Sequence, residues 1–260
     1  MQKGEAMLNG HHALITGAGS GIGEEIARQL HAAGARVTLA GRRSEPLQKL
    51  AQELGENSFA LGNFDVTSAA SIGAGLTKAR DQFGAISILI NNAGQAPTAP
   101  FEKMSDEQWD EIIAVNLTSV FRLSRAVLPD LKHYGEGARL INIASTAGLK
   151  GYSYVSGYCA AKHGVIGLTR ALAQELAKTG ITVNAVCPGF TDTPLIQQSI
   201  ENIVNKTGRS PQEALATFTQ TNPQGRLIQP QEVANCVLWL ASPASGSVNG
   251  QAISVSGGEI

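Results

Sequence analysis

The sequence predicts an α/β protein in which a parallel sheet carries helices on both faces. Three observations lead there. Short strand-like runs alternate with helix-length segments from residue 12 to residue 255, an order that requires β-α-β crossovers. The rhythm continues without a linker, repeat or low-complexity tract, so one domain over residues 1–260 is expected. Hydrophobic residues make up 43% of the chain and charged residues 16%, enough apolar material for a sizeable core.

His12 to Thr16 (HALIT) reads as the first, buried strand, and Gly21 to Ala33 as a helix with apolar residues at Ile22, Ile26, Ala27 and Leu30. Arg36 to Ala40 is the second strand. Ser44 to Leu54 is the next helix, with Ser44 as its N-cap and Pro46 in its first turn. A third strand (Ser58 to Leu61), a helix (Ser68 to Phe83) and a fourth strand (Ile86 to Ile90) follow. Asp106 to Tyr134 is a long helix with room for a bend. Beyond it come Arg139 to Ala144 as a strand, Ser156 to Ala177 as a long helix and Thr182 to Val186 as a strand. Gln231 to Leu240 is the last helix and Ala252 to Val255 the last strand. The polar stretch from Asp192 to Asn222 breaks the pattern; it reads as a substrate lid, because ligands in such folds bind beyond the carboxyl ends of the strands, against the alternative of a surface loop with a helix or two.

The charge balance excludes several classes of partner. Twenty basic residues face 21 acidic ones, without the excess of a dedicated nucleic-acid or anionic-membrane binder. The three cysteines, Cys159, Cys187 and Cys236, form no C-x-x-C pair and suggest neither zinc nor a disulfide framework. No His, Cys or carboxylate group has metal-ligand spacing. No run reaches 18 apolar residues, and Met1 to His12 has no signal-like apolar core. A cytoplasmic location is expected.

The first strand runs into Thr16-Gly17-Ala18-Gly19-Ser20-Gly21-Ile22-Gly23 and then into a helix. Glycines here let the backbone turn tightly and approach a pyrophosphate, while the helix N-terminus offers unpaired N–H groups. The spacing is G-x-x-x-G-x-G and not the strict G-x-G-x-x-G. The second strand ends in Ala40-Gly41-Arg42-Arg43, with no acid for a ribose 2′-hydroxyl. Arg42 and Arg43 suit a 2′-phosphate, since guanidinium makes charge-assisted hydrogen bonds to phosphate oxygens. NADP(H) is therefore favoured and NAD(H) is the alternative. Glu45 is placed in the first turn of the following helix. Asp65 and Val66 either hold an adenine or, for Asp65, form a turn.

Tyr158 and Lys162 are four residues apart on a helix and so share a face. An adjacent ammonium is expected to lower the phenol's pKa, which ordinarily lies near 10. The pair can then exchange a proton with an alcohol oxygen. Ser145, at the end of the fifth strand, can donate to the same oxygen. Asn116, in the long helix, can relay water to Lys162.

These residues together resemble the short-chain dehydrogenase/reductase family of the 250-residue class. The matching pieces are TGAGSGIG from Thr16 to Gly23, Asp65-Val66, Asn91-Asn92-Ala93-Gly94, Asn116, Ser145, Tyr158 with Lys162, and Pro188-Gly189 with Thr193. The resemblance implies a single Rossmann-like domain with a seven-stranded parallel sheet and an Asn116-Ser145-Tyr158-Lys162 tetrad. It implies that Asn92, Ala93 and Gly94 buttress the cofactor, and that Pro188, Gly189, Thr191 and Thr193 touch its nicotinamide end. It also implies a homotetramer with the helices of Asn116 and Tyr158 at one interface. The second half is similar to polyketide ketoreductases and, from Cys187 to Ala214, to 3-hydroxybutyrate dehydrogenases. That implies a 3-oxoacyl or 3-hydroxyacyl substrate, carried as a thioester, against the alternatives of a free 3-hydroxy acid or a cyclic alcohol. A nucleotide-binding regulator is the rival without turnover; such a protein is expected to lack part of the tetrad. Among the remaining residues, Tyr152 is a candidate for the substrate pocket or, equally, for packing, Cys187 for a small buried role, His163 for a structural one, and His11 and His12 for the surface.

Overall fold

The computed structural model describes residues 6–260; the reading of Met1 to Glu5 lies outside the described residues. Seven strands form one parallel sheet: β1 (His12–Thr16), β2 (Arg36–Ala40), β3 (Ser58–Leu61), β4 (Ile88–Asn91), β5 (Arg139–Ile143), β6 (Thr182–Pro188) and β7 (Ala252–Val255). They lie side by side in the order β3-β2-β1-β4-β5-β6-β7. Every pairing is parallel, so each connection is a crossover. The order reverses at β1, which pairs with β2 on one side and β4 on the other. At that switch point the loops leaving β1 and β4 diverge and open a crevice beyond the strand ends.

The side-chain period of two splits the core between the sheet's faces. Ala13, Ile15, Val37, Leu39, Ile88 and Ile90 pack with Ile26 and Leu30 of α1 (Gly21–Ala32), Leu47 and Leu50 of α2 (Ser44–Leu54), and Val233 and Val237 of α9 (Pro230–Ala241). The intervening Leu14, Leu89, Leu140 and Val183 pack with Ile72 and Leu76 of α3 (Ala69–Phe83). On that face they also meet Leu123, Val127 and Leu131 of α5 (Ser119–Tyr134) and Leu176 of α6 (Ser156–Leu176). With both faces covered, β1, β4, β5 and β6 are buried along their whole length.

The predicted long helix from Asp106 to Tyr134 is interrupted. It runs as α4 (Asp106–Ile113), then a π-helical turn at Ala114–Thr118, then α5. By length and hydropathy the run could cross a membrane, yet here its inner face, with Leu123, Val127 and Leu131, is buried against the sheet. The stretch after β6 holds α7 (Pro194–Thr207) and α8 (Pro211–Thr219). Ser210 caps α8 in a reciprocal capping box with Glu213.

Three local expectations are corrected. His12 is not at the surface: it is fully buried in β1, with Nδ1 2.9 Å from the Gly84 carbonyl and Nε2 2.8 Å from Thr38 Oγ1. Burial pulls its pKa down to about 4, so the ring is neutral. Ser44 is the first residue inside α2, not its N-cap; Arg43 occupies the cap without a side-chain bond. The Ser44 hydroxyl instead sits against Gly62, where a Cβ would collide with it. Finally, β4 begins at Ile88 because the Ile86 amide donates to the Asp130 carboxylate and not to the ladder.

Candidate active site

The turn at the end of β1 is built on glycines that its backbone conformation requires. Gly17 has φ +66° and Gly21 φ +58°, conformations that side-chain-bearing residues rarely adopt. A Cβ at Gly23 would run into the Gly17 carbonyl and the Asn92 amide. Ser20 holds the N-cap position of α1 with its hydroxyl uncommitted to capping, and Ile22 follows in the first turn. The exposed N–H groups and the positive end of the helix dipole thus face the crevice. The loop is braced from β4. Thr16 Oγ1 accepts from the amides of Asn92 and Ala93, each at 3.0 Å, and Asn92 Nδ2 donates to the Thr16 carbonyl at 2.9 Å. The Asn92 side chain is therefore committed to the loop itself. Thr193, the N-cap of α7, sets its methyl 3.0 Å from the place a Cβ would take at Gly21, closing the crevice from the far side.

Arg42 and Arg43 follow Gly41 at the end of β2, both exposed, and neither forms an ion pair among the described residues. Glu45 lies in the first turn of α2, as its sequence position suggests. Asp65 makes a turn contact: its Oδ1 accepts from the amide and the hydroxyl of Thr67, at 2.9 and 2.8 Å. Those bonds, with a smaller contribution from Arg42, hold its pKa below the usual carboxylate value. Val66 follows it, half-buried. Thr191 is buried, and its hydroxyl donates to the Gly189 carbonyl at 2.9 Å, shaping the loop after Pro188.

The structure brings the four candidate catalytic residues into one region. Asn116 lies on the π turn and is fully buried; a π turn rotates a side chain out of the regular helical series and often marks a functional site. Its Nδ2 donates to the Gln95 and Ile112 carbonyls at 2.9 and 3.0 Å, and its Oδ1 accepts from the Gln95 amide at 3.1 Å. A Cβ at Gly94 would stand 2.8 Å from Asn116 Oδ1 and 3.7 Å from Lys162 Nζ, so both polar ends converge on that glycine. Lys162 is 4% exposed, and its ammonium donates to the Ile143 carbonyl at 2.8 Å. It lies 5.6 Å from the Tyr158 ring centroid. Ser145 caps the 3-10 turn that follows β5, its Oγ accepting from the Ala147 amide at 3.1 Å.

The electrostatics differ from the sequence expectation. Burial dominates and pushes the Tyr158 hydroxyl up to about 12, with the Ser145 side chain drawing it back only in part. Burial also pulls Lys162 down to about 8. The ammonium expected to lower the phenol is itself destabilised, so the protein's own groups leave Tyr158 a neutral acid. Cys187, fully buried nearby, is pushed up to about 11 by the same desolvation and is no thiolate.

Tyr152 is half-buried, and its hydroxyl is already occupied: it bonds Thr146 Oγ1 at 2.7 Å and Glu259 Oε1 at 2.6 Å. Its ring meets Phe190 edge-on at 5.8 Å, and Phe190 meets Phe218 of α8 at 5.1 Å. The sequence reading missed Phe190, Phe218 and Glu259. The available signal was the Gly257-Gly258 pair directly before Glu259, two residues that let the backbone turn back. His163 is turned onto its own helix, bonding the Cys159 carbonyl at 2.9 Å.

The short chain dehydrogenase family model matches residues 11–203. A Streptomyces coelicolor protein assigned as a ketoacyl reductase is 42% identical over 250 residues, 95% of each chain. The D-beta-hydroxybutyrate dehydrogenase of Cupriavidus necator is 39% identical over 255 residues, 97% of this chain and 98% of that one. The 3-oxoacyl-[acyl-carrier-protein] reductase of Vibrio cholerae is 39% identical over 251 residues, 96% and 98%. Among solved structures, a variant of actinorhodin polyketide ketoreductase with NADPH superposes with a TM-score of 0.90 at 40% identity. That match covers 96% of this chain and 97% of the other. The chain belongs to the short-chain dehydrogenase/reductase family and is an oxidoreductase acting on ketone/alcohol pairs.

Proposed function

We propose that the protein reduces 3-oxoacyl thioesters with NADPH, reversibly. The observation that carries the reading is the convergence of Asn116, Lys162 and Gly94 beside Tyr158, at the carboxyl ends of the strands next to a glycine cradle. When bound, NADPH supplies the hydride and its ring the charge change that accompanies transfer. Gly17, Ser20, Gly21, Ile22 and Gly23 would hold its pyrophosphate, and Arg42 and Arg43 its 2′-phosphate. Asp65 and Val66 would bound the adenine; Ala93, Gly94, Pro188, Gly189, Thr191 and Thr193 would frame the nicotinamide end.

Tyr158 donates a proton to the carbonyl oxygen as negative charge develops there. Ser145 donates a second hydrogen bond to the same oxygen and fixes its position. Lys162 would hold the nicotinamide ribose and stabilise the phenolate left on Tyr158. Asn116, bonded to the Gln95 backbone, would maintain a proton relay to Lys162. Residues 192–222 act as the substrate lid of a single catalytic unit, and the aromatic run Tyr152, Phe190 and Phe218 lines the acyl side. The exposed Trp109 and Phe121 of α4 and α5 suit the packing of a homotetramer through those helices. The named activities of the relatives, ketoacyl and 3-oxoacyl-carrier reduction, support the substrate class.

The test is the absorbance loss of reduced nicotinamide with acetoacetyl-CoA, run in parallel with NADPH and NADH. Turnover with NADPH at least tenfold above NADH agrees with the reading. Turnover with NADH alone overturns the cofactor assignment, and no turnover with either overturns the substrate class.

A further inference from the structure

The last residues of the chain carry a carboxylate that the reaction as described does not use. The Glu259 side chain is 2% exposed. Its Oε1 accepts from the Tyr152 hydroxyl at 2.6 Å and from the Lys150 ammonium at 2.9 Å. Its Oε2 is buried and has no hydrogen-bond partner among the described residues. That oxygen lies 3.3 Å from the place a Cβ would take at Gly189. A bare buried carboxylate oxygen destabilises a fold, so an apolar residue would serve a purely structural chain end better.

The backbone is shaped to deliver this side chain. Gly257 has φ +65° and Gly258 φ +94°, two consecutive left-handed residues that fold the terminus back toward the sheet. A Cβ on Gly257 would collide with the side chain of Asn222, which is buried in the turn directly after α8. Asn222 in turn donates to the Arg226 carbonyl at 2.7 Å and accepts from the Gln224 amide at 2.8 Å, so the base of the lid is held against the tail.

From Glu259 the contacts run in two directions. Through the Tyr152 hydroxyl they reach Thr146, the neighbour of Ser145. Through the Tyr152 ring they reach Phe190 and then Phe218 on the lid helix α8. The Lys150 ammonium, 5.0 Å over the Tyr152 ring, closes the cluster on its outer side.

We propose that Glu259 is a positioning residue for the acyl substrate, fixing through Tyr152 both the Ser145 loop and the lid helix. This rests on the carbonyl-reductase reading above. The carboxylate is a charge-assisted acceptor, so it holds one orientation of Tyr152 more firmly than a neutral partner would. The Tyr152 hydroxyl is thereby spent within the protein, and its ring is offered to the acyl chain.

The test compares the parent with Glu259→Ala, Glu259→Gln, Tyr152→Phe and the Glu259→Ala/Tyr152→Phe pair. Hydrogen-exchange mass spectrometry reads the latch without any substrate. In Glu259→Ala, amides of residues 145–152 and 211–219 are expected to exchange at least fivefold faster, with β1 and α1 unchanged. KM for acetoacetyl-CoA should rise at least fivefold, kcat should fall by a smaller factor as the Ser145 loop loosens, and the NADPH Kd should be unchanged. Glu259→Gln, which keeps an acceptor but not the charge, should recover part of the loss, and the pair should be no worse than Glu259→Ala alone. Unchanged exchange, or a uniform rise across the molecule, overturns the proposal. So does an additive pair or a loss of NADPH affinity. A parent inactive on acetoacetyl-CoA counts against the 3-oxoacyl reading, and the exchange pattern still decides the latch.

Discussion

In the reaction proposed for this site, the ionisation of two side chains would set the chemistry. Tyr158 is pushed up to about 12 and Lys162 down to about 8, both by burial. The proposed reduction needs the protonated phenol and a charged neighbour to stabilise the phenolate it becomes. As pH rises through about 8, Lys162 loses its charge while Tyr158 keeps its proton. kcat/KM for ketone reduction is therefore expected to be level below that pH and to fall above it; a profile rising from neutrality to pH 10 would contradict the assignment. Arg42 supplies a separate check. A charge-assisted hydrogen bond contributes about 1.5–3 kcal/mol, so Arg42→Ala should raise KM for NADPH roughly tenfold or more. KM for NADH should stay where it was. Equal effects on both nucleotides would mean that Arg42 touches no 2′-phosphate.

Among the elements, the π turn matters most. The alternating strands, the glycine cradle and the Tyr158–Lys162 spacing were all legible in the sequence, because each follows a local period or a backbone requirement. The break between α4 and α5 was legible only as room for a bend. A π turn adds one residue to a helix and leaves no compositional mark; it is set by tertiary contacts, here Asn116 against Gln95 and Leu117 against Gly164. The aromatic run was illegible for the same reason, since residues 146, 152, 190, 218 and 259 meet only after folding; for Glu259 the Gly257-Gly258 pair was the one local signal. The turn has a testable consequence. Asn116→Ala removes three hydrogen bonds and leaves the Gln95 amide and carbonyl unpaired. It should cost roughly 1–3 kcal/mol of stability and lower kcat more than it raises the NADPH Kd. An Asn116→Ala enzyme with parental kcat would reduce that residue to scaffolding.

For the molecule as a whole, the buried His12 predicts how the fold yields to acid. Its pKa is about 4 in the folded chain against 6.5 when exposed, because β1 is buried on both faces and Arg36 lies nearby. The unfolded chain thus binds one more proton between those values. The stability His12 contributes is whole above pH 6.5 and is lost as pH falls toward 4. Each tenfold difference in proton affinity between the two states is worth about 1.36 kcal/mol, so the loss approaches roughly 3 kcal/mol. Urea midpoints at pH 7, 5.5 and 4.5 should fall more steeply for the parent than for His12→Gln. Parallel curves would assign the acid sensitivity to other groups. The surface reading of His12 failed because a polar residue at a strand's first position looks solvated in sequence; here Gly84 and Thr38 supply its partners from other segments.

The proton-donor role of Tyr158 is tested by turnover of acetoacetyl-CoA and NADPH in the parent and in Tyr158→Phe, with the NADPH Kd of both measured by fluorescence. A general acid typically contributes on the order of 10²–10⁴-fold. A kcat loss of that size is expected, with the Kd unchanged within about twofold. A Tyr158→Phe enzyme that binds NADPH and turns over at the parental rate would refute the assignment of the proton donor, and with it the reaction proposed for this site.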